Sequence, residues 1–259
     1  MAGPFNHAFL SWARKTAGPG WLAEHVHAFV PVGAPFNGAV NALSSLLGGA
    51  LTAFSSSSRT FENTKFTCPQ CSPALPEHVK ASGFFNVTTG LFANLLHGVD
   101  HLFQDAVQSG LTSVIRTMPS IFWMSTNVDS STSPPTDDVA VEFEHQTVLD
   151  PSKTFTEAVR ASQMPALFRR FGLYDEAALF EYALSEGTTT DPGVPVHCVY
   201  STNVRTFTKL AFRASMVLYN ERVELGDGDG TVHLGSLSVC DRWPSTRKTY
   251  RIPGVPHIS

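Results

Sequence analysis

Apolar residues recur along the chain in two patterns, one with helical spacing and one in short uninterrupted runs. Residues 4–14 place Phe5, Phe9 and Trp12 at helical spacing, and 155–171 and 175–184 are expected to form two more amphipathic helices. The broad apolar face of 83–113 predicts another helix. The runs typical of buried strands in a parallel sheet are 27–32 and 194–200, and 248–252 is a third possible strand.

Strands separated by helical segments predict an α/β fold with a parallel sheet. We expect three parts: a helix and strand over 1–35, a large and mostly helical insertion over 36–190, and C-terminal strands with two polar loops over 191–259. Three strands leave open edges and cannot cover the helices, so this pattern predicts part of a larger domain.

Composition narrows the classes of function. The 259 residues are 42% hydrophobic but only 15% charged, which excludes a disordered chain or a coiled coil. The net charge of −4 without a basic run gives no support for nucleic-acid binding. The 19 Phe residues suit either contact with lipid or a Phe-rich core, and the composition does not separate these two.

Two apolar stretches could be mistaken for targeting or membrane segments. The N-terminal residues do not form a signal peptide, because Asn6 and His7 interrupt the apolar run. Residues 26–58 carry no charged side chain and are long enough to span a bilayer. Pro31, Pro35 and several Gly and Asn residues favour a strand followed by a helix there instead.

An acidic, glycine-rich loop over 225–232 is the sharpest local signal. Asp227 and Asp229 alternate with glycines, which suggests either calcium ligation, a loop that directs one carboxylate, or a plain turn. An EF-hand beginning at Asp227 would need Gly at Val232 and Glu at Ser238, so calcium is excluded. Two interpretations stay open: a loop that directs one carboxylate, and a plain turn.

His257 follows the last strand on a rigid Pro/Gly loop, which suits a proton-transfer base and equally an ordinary surface loop. Together with Asp229 it gives an acid after one strand and a histidine after the next, as in the α/β-hydrolase triad. The third member should be a serine in a Gly-x-Ser-x-Gly elbow. No serine in the chain has glycine both two residues before it and two residues after it.

The remaining histidines and cysteines predict no metal or other cofactor. His97 and His101 have the spacing of a zinc helix, but Gly98 stands where that motif has Glu. Cys68 and Cys71 form a lone CxxC without a second ligand pair. An even number of cysteines permits disulfides without requiring them.

Five segments in this order resemble the lecithin:cholesterol acyltransferase family, which includes phospholipid:diacylglycerol acyltransferases and a lysosomal phospholipase/transacylase. They are distributed across nearly the whole chain: 29–38 (FVPVGAPFNG), 118–124 (MPSIFWM), 194–200 (VPVHCVY), 228–232 (GDGTV) and 238–243 (SVCDRW).

The resemblance implies an α/β-hydrolase fold with a large cap inserted before the last strands. It assigns the catalytic acid to Asp229 and the catalytic histidine to His257, and it implies a disulfide between Cys198 and Cys240. Family members usually have Trp where Phe36 stands, a difference expected to alter the wall of the acyl site.

The family nucleophile lies in Gly-His-Ser-Met-Gly-Gly, and this chain begins Met1-Ala2-Gly3, as if one residue after that serine. Met1 would then supply an oxyanion-hole N–H. The fold is therefore expected to be incomplete, without the nucleophile elbow and upstream strands.

The resemblance implies acyl transfer from a phospholipid to an alcohol or to water, with a lipid surface as partner and no nucleic acid. Our leading hypothesis is a truncated acyltransferase sequence, inactive without its serine. The alternatives are a non-catalytic lipid-surface protein, supported by the apolar segment 83–107, and a phospholipase or lipase. The implied disulfide and the glycosylation sequon at Asn86 favour the secretory pathway, lumenal or membrane-associated.

Overall fold

The structure is a computed structural model that describes residues 2–48, 65–66, 114–125, 137–146, 154–187, 189–213 and 222–257. Its helices are α1 (Ala2–Thr16), α2 (Pro19–His25), α3 (Val40–Gly48), α4 (Pro119–Trp123), α5 (Met164–Arg170), α6 (Tyr174–Glu186) and α7 (Leu234–Leu237). Its strands are β1 (Lys65–Phe66), β2 (Val139–Gln146), β3 (Thr154–Arg160), β4 (Val196–Thr202), β5 (Val204–Arg213), β6 (Arg222–Gly228) and β7 (Thr246–Pro253). Short 3-10 helices cover Ala161–Gln163 and Ser238–Arg242.

The smaller sheet is parallel and carries the strands expected from the sequence. β4 pairs with β7 along its whole length, from Val196 opposite Thr246 to Thr202 opposite Pro253. The segment 29–32 joins the other side of β4 through parallel bridges at Phe29–Val196 and Val32–Val199. Helices combined with this parallel pairing confirm the α/β class.

The larger sheet was not expected from the sequence. It has the order β1-β6-β5-β2-β3, with parallel pairing of β1 to β6 and of β5 to β2, and antiparallel pairing elsewhere. Three of its strands, β1, β2 and β3, lie within the insertion that the sequence indicated as mostly helical.

The predicted helix over 155–171 is wrong for its first half. Residues 154–160 form β3, which pairs with β2, and only Met164–Arg170 is α-helical. The reason is visible in Thr154, Phe155 and Val159, whose β-branched and aromatic side chains favour a pleated surface. Because the neighbouring strand β2 completes a hydrogen-bond ladder with it, the segment forms a strand rather than the start of a helix.

Two hydrophobic clusters form the core. One lies between the larger sheet and helices α3 to α6, with Phe122, Phe168 and Phe180 fully enclosed and in mutual ring contact. The other joins α1 and α2 to the parallel sheet and includes Phe36 and Trp243. Within the described ranges, no helix is long and apolar enough to cross a bilayer.

Candidate active site

The acidic loop turns directly at the end of β6 and holds one carboxylate inside the protein. Asp229 Oδ1 accepts hydrogen bonds from the backbone N–H groups of Thr231, at 3.0 Å, and Val232, at 2.8 Å. Its side chain is only 2% exposed. Gly230 has a φ of +93°, which a residue with a side chain rarely adopts, so the glycine allows the chain to turn around the carboxylate.

Asp229 and His257 meet, as the resemblance implied, although 28 residues separate them. The second carboxylate oxygen, Oδ2, lies 2.6 Å from His257 Nδ1, and the His257 backbone N–H donates to the Asp229 carbonyl at 2.7 Å. Because a carboxylate only accepts hydrogen bonds, Nδ1 is the donor in this contact, and in the neutral form of the ring Nε2 is the nitrogen that can accept a proton. The His257 side chain is 29% exposed. We call Asp229 and His257 the acid–histidine pair.

Asp227, the other acid of the loop, has a different role. Its Oδ1 accepts the backbone N–H of Asn203 at 2.5 Å, in the turn between β4 and β5 where Asn203 has a φ of +64°. An aspartate that fixes a turn in this way is a structural element. The geometry thus separates two carboxylates that the local loop pattern alone did not rank.

A tight turn brings the start of α1 towards the acid–histidine pair. A Cβ at Gly33 would lie 3.2 Å from His257 Nδ1, so the turn runs directly beside the imidazole. A Cβ at Gly3 would lie 2.4 Å from the Cβ of Ala34, so α1 packs by its second residue onto the same turn. The N-terminal end of α1 therefore lies near the histidine.

Phe36 is fully buried rather than lining an open wall. Its ring contacts Trp243 edge-on at 4.7 Å between centroids, and it also packs against Phe29 and His7. His7 stacks on Trp243, and burial lowers its pKa, opposed by its hydrogen bond to the Thr190 carbonyl. This aromatic cluster belongs to the same buried core as Val232 of the acidic loop.

The parallel sheet is tied to the 3-10 helix after the acidic loop. Cys198 in β4 and Cys240 form a disulfide with a Cα–Cα distance of 5.8 Å. Next to it, the Tyr200 hydroxyl donates to Asp241 at 2.6 Å and accepts from Arg251 Nε at 2.8 Å. Burial, reinforced by Asp241, raises the pKa of Tyr200 to about 12. These contacts fix β7, whose end leads into His257.

Several predicted residues lie outside the described ranges: Met1, Cys68, Cys71, Asn86, His97 and His101, together with the helix over 83–113. In the part that the structure describes, one cluster could offer three metal ligands, namely Cys198, Cys240 and Asp241. Its two sulfurs are joined in the disulfide, so they are not available to a metal.

Two residues near the acid were not singled out from the sequence. Thr206 in β5 belongs to no recognisable sequence motif, yet its hydroxyl contacts the loop at Gly230. Desolvation by burial lowers the pKa of His233, opposed by the charges of Asp138 and Asp229. Thr206 lies near Asp229 because β5 pairs with β6, whereas His233 follows Asp229 closely in the sequence.

Comparison with known proteins identifies a family for this chain. The family model described as lecithin:cholesterol acyltransferase matches residues 1–256. The mouse "Lysosomal phospholipase A and acyltransferase" is 39% identical over 74 residues, which are 27% of this chain and 18% of that protein. The bovine protein of the same name is 29% identical over 119 residues, 42% of this chain and 29% of that protein.

A plant relative, "Lecithin-cholesterol acyltransferase-like 1" of Arabidopsis thaliana, is 38% identical over 68 residues, 26% of this chain and 15% of that protein. The aligned segments thus span less than a third of each of these relatives. The match to the family model covers nearly the whole chain, and the chain belongs to the lecithin:cholesterol acyltransferase family.

Proposed function

We propose that the chain is the acid- and histidine-bearing part of a lipid acyltransferase that takes an acyl group from a phospholipid ester. The observation that carries this is the 2.6 Å contact between Asp229 Oδ2 and His257 Nδ1. It orients the imidazole with Nε2 outward, as a general base for a serine hydroxyl requires. The names of the mouse and Arabidopsis relatives support the lipid substrate class.

In the reaction, a serine Oγ–H gives its proton to His257 Nε2 while Oγ attacks the acyl carbonyl. The tetrahedral intermediate then collapses, the C–O bond to the lysophospholipid breaks, and the leaving oxygen takes the proton from Nε2. An acceptor alcohol, or water, loses its proton to Nε2 and attacks the acyl-enzyme. The second tetrahedral intermediate collapses, the bond between the acyl carbon and Oγ breaks, and Oγ takes the proton from Nε2. The products are a new ester, or a fatty acid, and the restored serine. Asp229 stabilises the imidazolium formed in both halves.

We propose that the serine comes from a segment that joins the chain directly before α1. Support comes from the Gly3–Ala34 and Gly33–His257 contacts, which bring the start of α1 close to the imidazole. In this arrangement the N–H groups at the N-terminal end of α1 would face the developing oxyanion, and the assignment of an oxyanion-hole N–H to Met1 stays a prediction.

An open sheet edge supports the same proposal. Phe29, Pro31 and Gly33 bond through their backbones to the β4 side. The backbone N–H and C=O groups of Val30 and Val32 face the opposite side, where no described residue forms a hydrogen bond with them. The two residues are 53% and 71% exposed. A further parallel strand along this edge would end beside His257, at the carboxyl end of the sheet. We also propose that residues 36–190 form a cap over this end of the sheet, and that the strands β2 and β3 belong to the cap.

The test uses the protein translated from the complete transcript, with phosphatidylcholine vesicles and a long-chain alcohol as acceptor. We expect new ester and free fatty acid, and a loss of about a thousandfold or more in His257→Gln. His25→Gln is the matched control, because His25 is exposed and stacks on Trp21. Fatty acid without ester would identify a phospholipase. Vesicle binding without turnover would favour the non-catalytic alternative, and full activity of His257→Gln would refute the assignment.

A further inference from the structure

Thr206 lies beneath the acidic loop, on the adjacent strand β5, and is 1% exposed. Its hydroxyl donates to the Val204 carbonyl at 2.9 Å and accepts the backbone N–H of Gly230 at 2.7 Å. One side-chain oxygen therefore joins the backbone of β5 to the residue that follows Asp229.

The loop leaves little room for any other arrangement. A Cβ at Gly228 would lie 2.5 Å from Thr206 Oγ1, so the backbone of the loop passes directly over the hydroxyl. Gly230 is itself buried, and its N–H points inward to this oxygen. A buried N–H without an acceptor is costly, so the hydroxyl satisfies a requirement that the turn creates.

The position of Gly230 determines where the carboxylate points. Asp229 Oδ1 is held by the N–H groups of Thr231 and Val232, the next two residues of the same turn. If the backbone at 230 moves, these donors move, and Oδ2 no longer meets His257 Nδ1 at 2.6 Å. We propose that Thr206 is a positioning residue, whose hydroxyl anchors Gly230 and so orients the Asp229 carboxylate towards His257.

The inference rests on the proposed role of the acid–histidine pair, but its readout is the hydrogen bond within that pair. An imidazole N–H bonded to a carboxylate gives a proton resonance far downfield of ordinary amide signals. In the full chain labelled with nitrogen-15, loss of this resonance in His257→Gln assigns it. An absence of acyl transfer would count against the proposed function and leave this measurement unaffected.

The decisive variant is Thr206→Val, which keeps the shape of the side chain and removes the hydroxyl. We expect the downfield resonance to disappear and the Gly230 amide to exchange with solvent about tenfold faster or more. Thr206→Ser keeps the hydroxyl and should retain both signals. Thr208→Val is the matched control on the same strand, because the Thr208 hydroxyl donates to the Glu224 carbonyl, away from the loop.

Retention of both signals in Thr206→Val would overturn the proposal, as would an equal loss in Thr208→Val. If Thr206→Val does not fold, the wild-type chain and Thr206→Ser decide the question. The proposal then requires a slowly exchanging Gly230 amide in the wild type and an intact downfield resonance in Thr206→Ser. Fast exchange of Gly230, or loss of the resonance in Thr206→Ser, would contradict it.

Discussion

Gly33→Ala is a small change that separates backbone strain from damage to the acid–histidine pair. Gly33 has a φ of +58°, and alanine in this region costs about 1–2 kcal/mol. The new methyl carbon would also lie 3.2 Å from His257 Nδ1 and Cε1, and 3.5 Å from Asp229 Oδ2. Since 3.2 Å is shorter than ordinary contact, the imidazole has to move by a few tenths of an ångström. The 2.6 Å hydrogen bond would lengthen or bend.

Gly172→Ala is the matched control, because Gly172 has a φ of +75° and its added Cβ would meet nothing within 4 Å. We expect both variants to lower Tm in calorimetry by about 2–8 °C, at about 2–4 °C for each kcal/mol. Only Gly33→Ala should shift or remove the downfield imidazole N–H resonance. If the two variants leave that resonance equally intact, the turn at Gly33 does not support the histidine, and our reasoning about this contact is wrong.

Three further predictions follow from the same region. Burial and Asp241 raise the pKa of Tyr200 to about 12, so the folded chain keeps a proton that the unfolded chain loses near pH 10. The free energy of unfolding should therefore fall as the pH rises from about 10 to about 12, and it should fall less in Tyr200→Phe, as measured by urea denaturation. Replacing Cys198 and Cys240 together by alanine removes a link across 42 residues and should lower the unfolding free energy by about 4 kcal/mol; no change in the urea midpoint would contradict this. In the complete protein, Asp229→Asn should reduce kcat about 10⁴-fold, and wild-type kcat would exclude an orienting acid.

In the parallel sheet, β4 could be predicted from sequence because it lies in a continuous apolar run next to Pro and Gly, whereas β7 carries charged residues and is mostly exposed. Val196 and Cys198 in β4 are fully buried, as a continuous apolar run predicts. β2 and β5 gave a weaker signal, since charged residues such as Glu142 and Lys209 interrupt them. These two side chains form an ion pair at 2.9 Å across neighbouring strands, a contact that only the folded sheet creates.

At the site, Asp229 and His257 could be found because each follows a strand in a loop with its own glycine and proline pattern. The choice between Asp227 and Asp229 came from the resemblance, and its physical basis is the turn that Asp227 holds at Asn203. Thr206 could not be found, since it precedes the acid by more than twenty residues in an ordinary strand pattern. Its relevance depends on the register that sets it opposite Gly226.

The central claim is that His257 activates a serine located just before α1. The most direct test treats the protein translated from the complete transcript with a fluorophosphonate, which reacts covalently with activated serines, and maps the modified peptide by mass spectrometry. We predict one labelled serine immediately upstream of α1, in a Gly-His-Ser sequence, with labelling abolished in His257→Gln. A label on another serine, or equal labelling of His257→Gln, would contradict the account.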